Sequence, residues 1–192
     1  MKREDILSAA AQMFREKGYN AASMQNIADT VGLQKASLYH HVSSKQEILL
    51  AILDHALDLL NADMEQVVQQ PAPAEEKLRQ AMRAYVNRLT ADADLAAVLL
   101  LEHRSLKPAL RKKHIVRRDK FESYWRQIIA EGVDQGVFRP VDPVIMGFAL
   151  LGVQNWMITW YRGDGQLSPD ELADRFCDLF FYGLQSNHRA AA

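Results

Sequence analysis

The sequence predicts an all-α chain of about nine helices, an expectation that rests on three observations. Apolar residues recur at spacings of three and four over long stretches, which builds one face of a helix. Helix-opening signals punctuate these stretches at Ser44-x-x-Glu47, Asp142-Pro143 and Ser168-Pro169-Asp170-Glu171. Hydrophobic residues make up 48% of 192 residues, enough for a sizeable core, while 24% charged residues fit a soluble protein.

Residues from about Lys2 to Lys17 read as the first helix, with Ile6, Leu7, Ala10, Met13 and Phe14 on one face and Gly18 closing it. Ser23 is the N-cap of a second, striped by Met24, Ile27, Ala28 and Val31. Gly32 ends it where a positive φ is cheap, and Leu33 tucks back. A third short helix runs from about Lys35 to His41. Leu38 and Val42 point inward, and Gln34, Lys35, Ser37, Tyr39 and His40 point outward. Phe14, Ile27 and Leu38 are the expected small core. Two helices joined by a Gly-containing turn, the second with a donor-rich outer face, make a helix-turn-helix, whose second helix enters the DNA major groove.

The pattern S-M-x-x-I-A-x-x-x-G-L-x-K-A-S-L-Y-x-H-V-x-S-K-x-E-I-L, preceded by ILSAAAQMFREKGYNAAS, closely resembles the DNA-binding domain of the tetracycline-repressor (TetR) family. The resemblance is specific over the first quarter of the chain. It implies a helix-turn-helix DNA-binding domain over residues 1–46, a helical ligand-binding and dimerisation domain over 47–187, and a frayed tail at 188–192. It also puts Ser23, Tyr39, His40, His41 and Lys45 mainly on phosphates, which fix affinity and register. Lys45 sits at a helix N-terminus, where its charge and the free amides would both face an anion. Gln34, Lys35 and Ser37 are candidates for base contacts, since Gln can pair with adenine and Lys with guanine. Tyr39 is within reach of a base as well, and the alternative for His41 is a ring packed under the motif.

The fourth helix opens at Lys45, behind the Ser44–Glu47 capping box, and continues to about Val68 without a linker, as a mechanical connector. QQPAPAEE is the clearest break, with Pro71 and Pro73 stopping one helix and starting another. The fifth carries Leu78, Met82, Tyr85, Val86 and Leu89; the sixth, near Leu95 to His103, is almost wholly apolar and should be buried. Pro108 opens a long seventh to Gly132 or beyond, with Phe121, Tyr124, Trp125, Ile128 and Ile129 on one face. After Asp142-Pro143 comes VIMGFALLGVQNWMITWY, 18 residues apolar nearly all round. Gln154 and Asn155 interrupt it, so burial on two sides, by its own core and by another subunit, explains it better than a membrane span. The last helix runs through Leu172, Phe176, Leu179, Phe180 and Leu184.

Net charge is −1 with pI about 6.6, so any attraction for nucleic acid rests on a local patch such as Lys2, Arg3, Lys35 and Lys45. The single cysteine, Cys177, forms no intrachain disulfide and fits a core position in a reducing cytoplasm. The opening MKREDILSAAAQMF is neither a signal peptide nor a membrane anchor. With no metal-ligand cluster, nucleophile elbow or P-loop, neither catalysis nor a metal or cofactor is expected.

Phe148, Leu151, Trp156, Phe176, Phe180 and Phe181 offer more apolar surface than one layer hides, which suggests a homodimer through a four-helix bundle, common in the TetR family. Two-fold symmetry then implies a palindromic operator in double-stranded DNA. The final segment looks most like repressors that respond to acyl-CoA thioesters in fatty-acid or steroid-ring breakdown. Candidate wall residues for a hydrophobic effector are Tyr85, Leu89, Leu99, His103, Phe121, Tyr124, Trp125, Ile128, Met146, Leu150 and Trp156, with Gln154 and Asn155 as polar partners. The run from Arg111 to Lys120, including Arg117 and Arg118 and joined by Arg104 and Arg126, is either a solvated face or a rim for an anionic headgroup. The competing expectation is a multidrug sensor of an efflux pump, whose buried cation would want carboxylates, Glu102 and Glu122 being the best placed.

Overall fold

The structure, a computed structural model, describes residues 2–183; Leu184 and the tail expected to fray at 188–192 lie outside them. The described residues are all-α. The helices are α1 Arg3–Lys17, α2 Met24–Thr30, α3 Lys35–Leu38, α4 Lys45–Gln69, α5 Ala74–Ala91, α6 Ala93–Ala97, α7 Pro108–Asp134, α8 Pro143–Trp156 and α9 Pro169–Tyr182. No helix among them is long and apolar enough to cross a membrane.

Local chemistry accounts for the turn between α2 and α3. Gly32 takes φ 67°, and the amides of Gly32 and Leu33 donate to the carbonyls of Asp29 and Ala28 at 3.2 and 2.9 Å. These are the paired bonds of a Schellman motif, which only a residue comfortable at positive φ completes. Ser23 caps α2 through the Asn26 amide, and Phe14, Ile27 and Leu38 meet in a buried core, as expected.

α4 leaves this three-helix unit without a linker and packs along α5 and α7; α8 lies on α7, and α9 on α5. Asp142 and Ser168 cap α8 and α9 as the sequence predicts. At α4 only half of the expected box forms. Ser44 accepts from the Glu47 amide, but the Glu47 carboxylate turns to the amide and hydroxyl of Ser43 and to Arg3.

Three elements depart from expectation. α3 ends at Leu38 rather than His41, because the His40 and His41 amides close short turns on Ser37 and Leu38. The sixth segment is a short α-helix followed by a π-turn, Val98–Glu102, and a 3-10 turn, His103–Ser105. That widening keeps Val98 and Leu99 buried while pushing Leu101 to 61% exposure, so the segment is not wholly buried. α8 stops at Trp156, where a 3-10 turn carries Met157 into the core.

Candidate functional site

The outer side of α3 is the first candidate surface. Gln34, Lys35, Tyr39, His40 and His41 are exposed and Ser37 is half-buried. His41 therefore does not pack beneath the motif. Ser23 is exposed too, its hydroxyl accepting from the Asn26 amide and donating to the Asn26 side chain.

Lys45 behaves differently. Its ammonium donates to the carbonyls of Tyr19 and Ala22 at 2.8 and 2.6 Å, approaches that of Asn20 at 3.5 Å, and lies over the Tyr19 ring. Burial lowers its pKa. It clamps the loop between α1 and α2, a support role that the sequence did not announce. The N-terminus of α4 already holds an anion, Glu47, whose carboxyl the Ser43 hydroxyl and amide keep below its ordinary pKa. Arg3 pairs with Glu47 at 3.2 Å, leaving Lys2 and Lys35 as the exposed cations of the expected patch.

The second candidate is a cavity of about 210 Å³ between α4, α5, the π-turn, α7 and α8. Leu57, Leu60, Leu99, Leu100, Phe121 and Leu151 make its apolar wall; Tyr85, Asn155, His103, His114, Arg118 and Glu122 supply polar groups. Tyr85 is fully buried among Phe121 and Trp125, at ring distances of 5.3 and 5.9 Å, and its hydroxyl donates to Asn155 at 2.5 Å. Burial drives the phenol pKa well above its ordinary value. At the other pole the His103 and His114 rings stack at 6.3 Å, and buried Nδ1 of His114 has no hydrogen-bond partner. Burial pulls the His114 pKa down to about 4, helped by the nearby His103, Arg118 and Arg117 charges. His103 is lowered as well, mainly by burial and further by Arg118, Arg104 and Arg111.

Of the candidate wall residues, Tyr85, Leu99, His103, Arg118 and Phe121 meet here. Met146 and Leu150 instead line a separate apolar cavity of about 250 Å³ with Phe138, Phe180 and Phe181. Leu89, Trp125, Ile128 and Gln154 are core, Gln154 donating to the Leu150 carbonyl. Tyr124 lies beside Lys120 on the flank of α7. Trp156 is 67% exposed, because the turn of α8 that carries it faces outward, and it lines neither of these two cavities. Nor does Leu151 stand on the outer face: it is buried against the cavity, whereas Val144, Ile145, Phe148 and Trp156 form the exposed stripe of α8.

The second half of the basic run is neutralised, whereas Arg111, Lys112 and Lys113 stay exposed without an ion pair among the described residues. Arg117 pairs with Asp54 and Asp58, and Arg118 with Glu122 at 3.2 Å. Arg126 approaches Glu122 at 3.9 Å. Arg104 and Arg111 are exposed. Glu102 does not enter the cavity; it accepts from the Tyr19 amide and the Ser105 hydroxyl. A larger open groove of about 640 Å³ between α1 and α4 has an apolar floor of Leu7, Leu50, Ile52 and Leu95, but Glu4, Glu47, Asp54, Asp58 and Asp92 edge it and repel an anionic headgroup. His114, Leu57, Leu60, Leu100 and Leu151 were not anticipated as cavity walls. For His114 a signal existed: with Phe121, Trp125 and Ile128 it falls on one helical face inside the charged run.

Residues 6–52 match the family model described as bacterial regulatory proteins, tetR family, and residues 71–184 match the tetracyclin repressor-like C-terminal domain. The chain is similar to a TetR-family transcriptional regulator, PfmR of Thermus thermophilus, with 42% identity, 94% of this chain and 99% of that one covered, and TM-score 0.88. It is also similar to AibR, solved with isovaleryl coenzyme A and operator DNA, at 32% identity, 93% and 97% coverage and TM-score 0.86. The HTH-type transcriptional repressor KstR2 of Mycobacterium tuberculosis is 28% identical over 185 residues, 95% of this chain and 92% of its own.

Proposed function

The chain belongs to the tetracycline-repressor family of transcriptional regulators, and we propose that it is a repressor that binds a palindromic operator as a homodimer and is released by an acyl-CoA thioester. The observation that carries this reading is one helix touching both candidate sites. The first turn of α4 holds the helix-turn-helix through Lys45, and Leu57 and Leu60 of the same helix wall the cavity. Twelve residues of helix separate Lys45 from Leu57, about 18 Å at the rise of an α-helix. A ligand that fits the cavity only when α4 has swung favours the state in which the two reading helices are mis-spaced, by its differential affinity and no more.

In the DNA-bound state Ser23, Tyr39, His40 and His41 meet phosphates, and Gln34, Lys35 and Ser37 meet base edges. The exposed stripe of α8 and the outer side of α9, with Leu179 and Tyr182, form the dimer face. The apolar wall and unpartnered His114 favour an acyl group, and the AibR complex is a relative with such a ligand. A lipophilic cation finds less here, because Glu122 is already paired with Arg118. Duplexes selected from a random pool should converge on a two-fold symmetric site, and an acyl-CoA should release the protein in an anisotropy titration. An asymmetric selected site, or release by a lipophilic cation and by no thioester, overturns the reading.

A further inference from the structure

Building on the thioester reading, we propose that the α4–α5–α7–α8 cavity takes only the acyl end of the ligand, at most about eight heavy atoms, with the carbonyl at the His103–His114 pole and the anionic headgroup outside on Arg104 and Arg111.

Size comes first. A cavity of roughly 150 Å³ accommodates benzene, so 210 Å³ accommodates about eight carbons and no coenzyme. The cavity shares no lining residue with the 250 Å³ apolar cavity on the other side of α8. Leu150 and Leu151, successive on α8, face different cavities, and the hydrogen-bonded Tyr85–Asn155 pair with the packed Tyr85–Phe121–Trp125 rings stands between them as a barrier to a longer chain.

Polarity sets the orientation. His114 is 2% exposed and its Nδ1 lacks a partner, an arrangement that is unfavourable until a ligand atom satisfies it. A neutral imidazole carrying its proton there donates to an acyl carbonyl oxygen, whether the acyl group arrives as a thioester or a free acid. The headgroup separates those two sources. Arg104 follows His103 in the 3-10 turn, and Arg111 lies one turn before His114 on α7, so both guanidiniums flank the histidine pole. Arg118 is held by Glu122, whereas Arg104 and Arg111 are exposed and form no ion pair among the described residues. A polyphosphate at this mouth meets two guanidiniums, and arginine is the side chain suited to that contact.

The test is calorimetry on the full chain with acetyl-, butyryl-, hexanoyl-, octanoyl- and lauroyl-CoA and the matching free acids. Affinity should rise to hexanoyl or octanoyl and drop by about tenfold or more at lauroyl. An affinity still climbing at lauroyl overturns the pose while leaving the thioester reading intact; no binding by any thioester overturns both. Arg104→Ala with Arg111→Ala should cut the ester-to-acid affinity ratio by about tenfold, and an unchanged ratio removes the headgroup from this mouth. His114→Phe should weaken butyryl-CoA by about fivefold to tenfold and His114→Gln should restore part of it. Equal affinity in wild type and His114→Phe overturns the anchor. Should His114→Phe fail to fold, the wild-type length profile and the arginine pair still decide.

Discussion

The carboxylate of Glu102 accepts a hydrogen bond from the backbone amide of Tyr19 at 3.2 Å, so the π-turn that walls the cavity is tied to the loop in front of the helix-turn-helix. A second strap runs beside it. Gln46 donates to the Tyr19 hydroxyl and the Ser105 carbonyl and accepts from the Lys107 amide. On the proposed mechanism, displacement of Leu99, Leu100 or His103 by a ligand would therefore reach the reading unit through these hydrogen bonds as well as through α4.

Glu102→Ala should cost about 1–3 kcal/mol, since it removes two bonds to a charged acceptor. It should also raise the effector concentration that half-releases DNA, because one of three couplings is lost. Glu102→Gln keeps an acceptor oxygen and should recover most of both properties. Thermal melts and anisotropy release curves of the three proteins check this; identical release curves for wild type and Glu102→Ala would take the strap out of the coupling.

Lys45→Ala and Tyr39→Ala separate support from contact. Without the ammonium the carbonyls of Tyr19 and Ala22 lose a charged donor, so Lys45→Ala should destabilise the fold by about 1.5–3 kcal/mol and weaken DNA binding through a disordered loop. Tyr39 is 47% exposed, so its truncation should leave stability within about 0.5 kcal/mol and weaken binding to every duplex. Gln34→Ala should instead relax preference at one base position per half-site by about 1–3 kcal/mol. Melts run beside gel-shift titrations at fixed salt distinguish the three patterns.

The helix-turn-helix was legible because its signals are local. Gly32 and Leu33 announce a turn, and Ser23 a cap, from chain chemistry alone. Where α3 and α8 stop was not, because the turns after Leu38 and Trp156 answer to what packs beneath them. Periodicity marked Tyr85, Phe121, Tyr124, Trp125 and Ile128 as inward-facing, and all but the half-buried Tyr124 are buried. It carried no information on which cavity each would line, because that depends on how faces of different helices meet. Lys45 and Arg117 read as free cations for a similar reason: the carbonyls of Tyr19 and Ala22, and Asp54 and Asp58, approach them only in the fold.

The dimer face is best tested at Phe148, which is 53% exposed in the single chain and stands on the outer stripe of α8. Phe148→Glu leaves the protomer core untouched but puts an unpaired charge into an apolar interface, at a cost of several kcal/mol. The variant should sediment as a monomer at micromolar concentration and lose operator binding while keeping its helical signal. Phe180 discriminates less well, being half-buried beside the second cavity, where a charge also harms the fold. A Phe148→Glu protein that still sediments as a dimer would move the interface elsewhere.

His114 makes a pH-dependent contribution of definite sign. Its ordinary pKa of 6.5 applies to the unfolded chain, whereas burial, with the His103, Arg118 and Arg117 charges, lowers it to about 4 in the fold. Between those values the unfolded state binds the extra proton, so stability increases with pH there. The contribution is complete above about pH 7, decreases as pH falls through 6.5, and levels off near 4. Other groups titrate nearby. Glu47 and Glu171 have lowered pKa values and act below the usual carboxylate range, Asp54 is raised by burial, and His103 shifts in the same direction as His114. The quantity to measure is therefore the difference between wild type and His114→Gln in denaturant unfolding at pH 5, 6, 7 and 8. Wild type should lose stability relative to the variant on going from pH 7 to pH 5, and parallel curves across that window would show that His114 is not held neutral by its surroundings.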